Sequence, residues 1–255
     1  MRVIGLIPAR MGSSRFPGKP LYPILGLPMI EHVYRRALMY SNWDALAVTT
    51  CDQEILNWGQ SKNVPVIMTS PLHTRCLDRV AEAAPKLLPD LTEDDIVVCV
   101  QGDEPMLYPE MIDSVIRPIV NDPEVNCTVL AMEIVDERTF LHKDTVKIIH
   151  NLKGDVLYTS RAPIPWCEKF TPALGARRIY GIFGFRWGRL KEFTQLKESP
   201  LELVESCDSN RLFDYGLKQR IAPYHYVPSF SVDNPGDVSI VENAMKQDPL
   251  LQKYT

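Results

Sequence analysis

Two clusters of residues carry most of the chemistry this sequence can offer. The stretch IPARMGSSRFPGKPL, Ile7 to Leu21, sets Arg10, Arg15 and Lys19 among Gly12, Ser13, Ser14 and Gly18, directly after an apolar run. Glycines let a backbone approach a ligand closely, while arginine, lysine and serine side chains donate to phosphate oxygens. Phosphate binding is the expectation, against the plainer alternative of a solvated strand-to-helix connection. A standard P-loop is disfavoured: Gly12 and Gly18 have five residues between them where that motif has four, and Pro20 stands where its hydroxyl should be.

The second cluster is acidic. VQGDEP, Val100 to Pro105, puts Asp103 and Glu104 just past an apolar run, and SVDNPGD, Ser231 to Asp237, repeats the arrangement late in the chain with Asp233. Mg²⁺ takes one or two protein carboxylates and completes its octahedron with water and substrate phosphates, so Asp103 and Asp233 are candidate metal ligands. The alternative for both is a helix cap, and Asp-Asn-Pro is an ordinary turn signal. Capping leaves Gln101-Gly102 ahead of the first pair unexplained. Arg161, in TSRAPIPW, follows a strand-like run and can meet a carboxylate bidentately, although such arginines are often plain surface residues. His73 and His225 read as structural. No Ser-His-Asp order, zinc spacing or covalent nucleophile stands out.

These residues need a scaffold that brings them together. RVIGLIPA, ALAVTT, VPVIM and IVVCVQ are short, β-branched and almost continuously apolar, as strands covered on both faces are. Between them PMIEHVYRRALMY, QEILNWGQ and CLDRVAEAAPKLL have helical spacing. Such alternation predicts a doubly wound parallel sheet, in which ligands bind beyond the carboxyl ends of the strands. The opening loop and the residues after Val100 both emerge there. After about residue 125 the rhythm changes to NCTVLAMEIV, TVKIIHN and DVLYTSR, the last two joined by the turn signal LKGD, which reads as a smaller mixed β insertion. Helical pattern returns in LKEFTQL and in LELVESCDSNRLFDYGL, followed by a strand-like IAPYHYVPSFSVD and a closing helix from about Pro235.

At 255 residues and 45% hydrophobic, the chain is long enough for one large domain. A net charge of -4 offers no general attraction to nucleic acid or to an anionic membrane, so the anion-binding capacity is local and suits a small ligand. The cysteines at 51, 76, 99, 127, 167 and 207 lie far apart without C-x-x-C pairs and read as reduced thiols. With no charged leader and no membrane-length apolar run, a cytoplasmic protein is expected.

Taken together and in order, IPARMGSSRFPGKPL with PMIEHV, VQGDEPM, VKII, LYTSRAPIPW, GIFGFR, SPLELVE and VDNPGD resemble the 3-deoxy-manno-octulosonate cytidylyltransferases over essentially the whole chain. The resemblance implies an α/β nucleotidyltransferase-type (Rossmann-like) three-layer fold with a mostly parallel central sheet. It also implies CTP and an acidic sugar as substrates, Mg²⁺ as cofactor, no nucleic-acid or membrane partner, and a homodimer. One domain would comprise a nucleotide-binding part over about 1–124, a sugar-binding and dimerising part over about 125–230, and a closing strand end and helix over 231–255. By the same resemblance Arg10, Gly12, Ser13, Arg15 and Lys19 bind the triphosphate, with Lys19 also catalytic. Asp103 and Asp233 hold the metal and serve catalysis, and Gln101 and Arg161 face the sugar.

Departures from the family pattern fall on the substrate side. A Ser-Gly-Thr-Glu-Arg stretch near the nucleotide is here RCLDR, Arg75 to Arg79, of which only Arg79 is kept, as an expected nucleotide-binding residue. The sugar-side histidine falls on Ile179, a following tyrosine on Phe183, and a Glu-Gln pair on Asp208-Ser209. These four changes predict an acceptor pocket of altered polarity. A nicotinamide-dependent oxidoreductase is excluded by the missing G-x-G-x-x-G. A nucleotide sensor that has lost activity would have no use for Lys19, Asp103 and Asp233 together.

Overall fold

The computed structural model describes residues 1–255, which form two compact units: Met1–Asp113 with Pro228–Thr255, and Ser114–Val227. The first opens with β1 (Val3–Pro8), a 3-10 turn at Lys19–Leu21, and the small antiparallel pair β2 (Pro23–Ile24) and β3 (Leu27–Pro28). It continues through α1 (Met29–Leu38), β4 (Ala45–Thr50), α2 (Gln53–Lys62), β5 (Val66–Met68), α3 (Cys76–Leu87) and β6 (Ile96–Val100) to α4 (Pro109–Asn121), within which the division falls. β1 pairs in parallel with β4 and β6, and β4 with β5, giving the expected parallel sheet in the order β6-β1-β4-β5. Ile4, Leu6, Ile7, Val97 and Val98 have no solvent exposure, so the strands are apolar because both faces are covered. α1 buries Ile30, Val33, Tyr34 and Ala37, the i, i+3, i+4, i+7 stripe read from the sequence.

This topology aims β1 and β6, adjacent and parallel, so that the segments after Pro8 and after Val100 leave from the same end. Gly102 answers the question left by Gln101-Gly102. A Cβ there would lie 2.7 Å from the Pro8 carbonyl oxygen, so only glycine lets the Asp103 backbone turn this tightly against the end of β1. α4 begins at Pro109, well past Asp103 and Glu104, and these carboxylates do not cap it.

The second unit holds β7 (Cys127–Glu133), α5 (Glu137–Leu141), β8 (Lys147–His150), β9 (Val156–Ser160), β10 (Arg177–Arg186), α6 (Trp187–Gln195), α7 (Pro200–Glu205), α8 (Ser209–Asp214) and β11 (Arg220–Tyr224). β7 is parallel to β11 and antiparallel to β10, while β8 is antiparallel to β10 and β9. This is the mixed sheet expected, including the β8–β9 hairpin. In β10 the register against β7 shifts between Tyr180 and Phe183, a bulge that re-aims the side chains flanking it.

Two sequence expectations are corrected. LELVESCDSNRLFDYGL is not one helix: Ser206 takes a left-handed conformation (φ 49°) and the chain folds back as α7 and α8. The reason is tertiary. The turn lets Arg211 of α8 meet Glu202 of α7 through two hydrogen bonds of 2.8 and 2.6 Å, with both side chains buried. IAPYHYVPSFSVD contributes a strand only through Tyr224. The chain then returns irregularly to the first unit and ends with α9 (Asp237–Met245), which starts two residues after Pro235. There Val238, Val241 and Met245 pack with Phe16, Ile24, Met29, Met106 and Val232.

Candidate active site

In the first unit the opening loop is anchored by one apolar residue. Phe16 is buried in the cluster against α9, while Arg10 and Arg15 on the same loop are exposed. Gly18 has a positive φ of 76° and caps the 3-10 turn that begins with Lys19. Lys19 turns inward: its Nζ donates to Asp103 Oδ2 at 2.9 Å and to the Val232 carbonyl at 2.7 Å. The Val232 amide in turn donates to the Asp103 carbonyl at 3.0 Å. Next along the chain, Asp233 Oδ1 receives Arg15 Nη2 at 2.7 Å.

Segments distant in sequence therefore converge: Arg15 and Lys19 from the opening loop, Asp103 from beyond β6, and Asp233 before α9. The turn carrying Asp233 is built by Asp237, whose Oδ2 accepts from the backbone amides of Asp233 and Asn234 at 2.8 and 2.9 Å. Glu104, beside Asp103, points elsewhere and takes the Ser231 hydroxyl on both oxygens at 2.8 Å. Sequence reading passed over Asp237 and Ser231 because each is one more polar residue in a turn; only their backbone and carboxylate partners give them a role. The pairing has a chemical meaning. Cations suited to phosphate and carboxylates suited to a divalent ion neutralise each other, in partly exposed pairs that a ligand can exchange.

Arg79 and Gln101 occupy different surroundings. Arg79 is buried, its Nη1 donating to Thr69 Oγ1 at 2.6 Å and its Nη2 reaching the His73 carbonyl at 3.4 Å, so it braces the loop after β5. Glu82 holds the same loop, accepting from the Ser70 amide at 2.9 Å and from His73 Nε2 at 2.5 Å. Gln101 is half-buried with its amide 3.8 Å from the Cys76 sulfur at the start of α3.

In the second unit Arg161 is framed on several sides. Its Nε donates to the Glu205 carbonyl at 2.8 Å and its Nη1 to the Lys143 carbonyl at 3.2 Å, while its backbone amide donates to Glu205 Oε2 at 2.8 Å. Glu205 also takes the Tyr158 and Ser160 hydroxyls at 2.9 and 2.6 Å. Burial works to raise the Glu205 carboxyl, but the donors from Arg161, Ser160 and Tyr158 outweigh it and hold it below the ordinary carboxylate range. Lys147 lies beneath, with no exposed surface, donating to the carbonyls of Arg161, Thr145 and His142 at 2.5, 2.6 and 3.0 Å. Desolvation, reinforced by the charge of Arg161, draws its pKa down to about 8.

The four altered positions lie on two elements of this unit. Ile179 and Phe183 flank the β10 bulge, Ile179 half-buried and Phe183 buried. Asp208 precedes α8 without capping it, and Ser209 is buried in its first turn. The polar neighbours Asn210 and Tyr180 do not supply replacement contacts. Asn210 is fully buried and bonded to Thr159 through its Oδ1 (2.8 Å from the hydroxyl) and Nδ2 (3.1 Å to the carbonyl), and Tyr180 has no exposure.

A parallel sheet whose strand ends carry a glycine-containing, cation-bearing loop and two aspartates matches the architecture of a nucleotidyltransferase. The Cytidylyltransferase family model matches residues 4–221. The chain is 38% identical to a 3-deoxy-manno-octulosonate cytidylyltransferase of Oleidesulfovibrio alaskensis, over 96% of each chain. It is 39% identical to one of Thermodesulfovibrio yellowstonii, over 96% of this chain and 98% of the other. Among solved structures it is similar to CMP:2-keto-3-deoxy-manno-octonic acid synthetase complexed with CTP, with 34% identity, a TM-score of 0.85, and coverage of 97% and 99% of the two chains. A 4-diphosphocytidyl-2C-methyl-D-erythritol synthase, 16% identical with a TM-score of 0.63, shares the fold. The chain belongs to the cytidylyltransferase family. None of its helices is long and apolar enough to cross a membrane.

Proposed function

We propose that this protein transfers CMP from CTP to the anomeric hydroxyl of 3-deoxy-manno-octulosonate, releasing pyrophosphate. The observation that carries the reading is the convergence of Lys19, Asp103, Arg15 and Asp233 in one cluster, in a chain that matches a CTP-bound synthetase over nearly its whole length. The acceptor oxygen forms a bond to the α-phosphorus as the bond to the β-phosphate bridging oxygen breaks, and the hydroxyl proton is released. Arg10, Ser13 and Arg15 bind and orient the triphosphate, with Gly12 allowing close backbone approach: a Cβ there would meet nothing within 4 Å on the protein side. Lys19 offsets the charge that builds on departing pyrophosphate, an interaction of greatest use in the transition state.

The donor set fits a divalent cation. Asp103 and Asp233 are oxygen ligands from adjoining turns, and no group of three or more His, Cys, Asp or Glu side chains gathers as a closed metal site would require. Two carboxylates with the balance from phosphates and water is the Mg²⁺ pattern. Bound there, Mg²⁺ would neutralise phosphate charge during in-line displacement. On this reading the first unit is the nucleotide part of the chain and the second the acceptor part, with Arg161 serving the sugar. Arg161 is suited to the acceptor carboxylate because its frame fixes the guanidinium in advance.

Exposed apolar side chains at Leu157 on β9 and at Leu203 and Val204 on α7 support a homodimer through the second unit, which light scattering would test. Six cysteines, none in a disulfide, support a reducing, cytoplasmic setting. The test of the function is pyrophosphate release over a grid of nucleoside triphosphates and acidic sugars. Release with CTP and 3-deoxy-manno-octulosonate is expected; release only with another triphosphate, or with a neutral sugar, would overturn the reading.

One observation favours a second reading of the acceptor. Ile179 and Phe183 present no polar group beyond backbone, and Asn210 and Tyr180 are too buried to replace one. A pocket short of hydrogen-bonding groups favours an acceptor that lacks, or places differently, the matching hydroxyl.

A further inference from the structure

Asp52 stands at the start of α2, where an aspartate ordinarily accepts from the first-turn amides of its own helix. It does not: no side-chain cap forms at α2. Its Oδ2 instead accepts from the backbone amide of Met11 at 2.8 Å, across from β4 to the opening loop. Met11 lies where that loop leaves the sheet. β1 and β4 remain tied as far as the Ala9 amide, which donates to the Thr49 carbonyl at 2.9 Å. Beyond it the loop departs, and the Met11 carbonyl accepts from both Ser13 and Gly18 amides at 2.9 Å, closing the loop on itself. The Ser13 hydroxyl, in turn, accepts from the Phe16 amide at 3.3 Å. The two peptide groups that meet at Met11 thus tie the loop on both sides, the amide to Asp52 and the carbonyl to Ser13 and Gly18, between Arg10 and the stretch that carries Ser13 and Arg15. The arrangement also places a carboxylate behind a cation-bearing loop, at a helix N-terminus whose dipole stabilises it.

We propose that Asp52 is a positioning residue for nucleotide binding: by giving up its helix cap to fix the Met11 amide, it holds the phosphate loop in its binding shape. The inference rests on the triphosphate reading of that loop, and extends it to a residue that does not touch the ligand. What the loop requires from residue 52 is an acceptor at the right place rather than a charge, so asparagine should serve and alanine should not.

The test compares Asp52→Ala and Asp52→Asn with the native enzyme in two measurements: hydrogen exchange at Met11, Ser13 and Gly18 without ligand, and CTP affinity by calorimetry. In D52A, faster exchange at all three amides and a Kd for CTP weaker by about 10-fold are expected, as loss of one loop-fixing hydrogen bond would produce. D52N should stay within about 3-fold of the native affinity, since its Oδ1 can accept the same amide. Unchanged exchange in D52A would overturn the proposal whatever ligand the loop takes. So would a D52N as impaired as D52A, because the requirement would then be for charge. Lost protection in D52A, in an enzyme whose CTP affinity is indifferent to Arg10→Ala and Arg15→Ala, supports the tie and overturns the triphosphate reading instead.

Discussion

The strand-end cluster of the first unit and the frame around Arg161 in the second use charge in opposite ways. At the strand ends of the first, Lys19–Asp103 and Arg15–Asp233 are pairs of 2.9 and 2.7 Å between side chains that keep contact with solvent. In the second, Glu202–Arg211 is fully enclosed, Lys147 is bonded to three carbonyls with no exposure, and Glu205 collects donors from Tyr158, Ser160 and Arg161. Exposed pairs are weak and exchangeable, whereas buried networks cost several kcal/mol to break. On the proposed function, the strand-end pairs of the first unit would trade their internal partners for phosphate and metal, while the second unit would hold a fixed frame around Arg161. Chemistry common to every nucleotidyl transfer needs exchangeable charge; recognition of one acceptor needs rigidity.

The largest effect should come from breaking the exchangeable set. Lys19→Ala and Asp103→Asn are each expected to lower turnover by about 100-fold or more, with Lys19→Ala changing kcat more than nucleotide affinity. Thermal midpoints should move by only a few degrees, because the pair is partly exposed. Full turnover in excess chelator would remove the metal role assigned to Asp103 and Asp233, and a Lys19→Ala enzyme with only a raised KM would make Lys19 a uniform binder.

The enclosed set should respond in the reverse sense. Glu202→Ala leaves Arg211 buried without its partner and is expected to cost about 3–5 kcal/mol in denaturant unfolding. Replacing both members, as in Glu202→Met with Arg211→Leu, should recover most of that loss. A loss below about 1 kcal/mol for the single change would mean that this pair behaves like a surface pair, and the contrast between the units would fail.

This contrast explains which features can be read from sequence. The parallel sheet was legible because covered strands must be continuously apolar, and the loop residues because glycine, cation and hydroxyl types gather within one short stretch. Gly102 could be flagged as unexplained, but its reason, a Cβ 2.7 Å from the Pro8 oxygen, exists only in three dimensions. The break at Ser206 was hidden because LELVESCDSN has uninterrupted helical spacing, and the gain from pairing Glu202 with Arg211 lies across the turn. Arg79 and Asp52 were similarly opaque. One is an arginine beside a nucleotide-associated stretch and the other an aspartate before a helix, yet one braces the loop after β5 and the other reaches over to Met11.

Acceptor choice gives a smaller effect and sharpens the claim of a fixed frame. If the acceptor is 3-deoxy-manno-octulosonate, Ile179→His with Phe183→Tyr should raise kcat/KM by about 10-fold, the worth of one or two modest hydrogen bonds. If the pocket is adapted to a modified acid, the same changes should lower use of the preferred substrate. Specificity constants for the parent acid and its deoxy and amino analogues decide between them, and a preference for the parent of about 100-fold or more removes the second reading.

The smallest effect tests whether a partly exposed charge of the first unit is locked away from the strand-end cluster, at the loop after β5. Glu82 is the candidate, since it holds the loop after β5 through the Ser70 amide, His73 and Lys86 Nζ at 2.5 Å. Burial pushes this carboxyl upward, but the bonds from Lys86, the Ser70 amide and His73 more than reverse it and bring its pKa to about 2. A carboxylate depressed in the folded state adds stability above its unfolded pKa, roughly 4.5, and loses that contribution as pH falls from there toward 2. Because the group keeps about a quarter of its exposure, solvent screening reduces the contribution to on the order of 1 kcal/mol. Glu82→Gln should accordingly lower the urea midpoint at pH 7 but scarcely at pH 2.5, flattening the acid limb of the stability curve. If the variant and native curves stay parallel down to pH 2.5, Glu82 is as exchangeable as the charges around Lys19, and the first unit has no locked element at this loop.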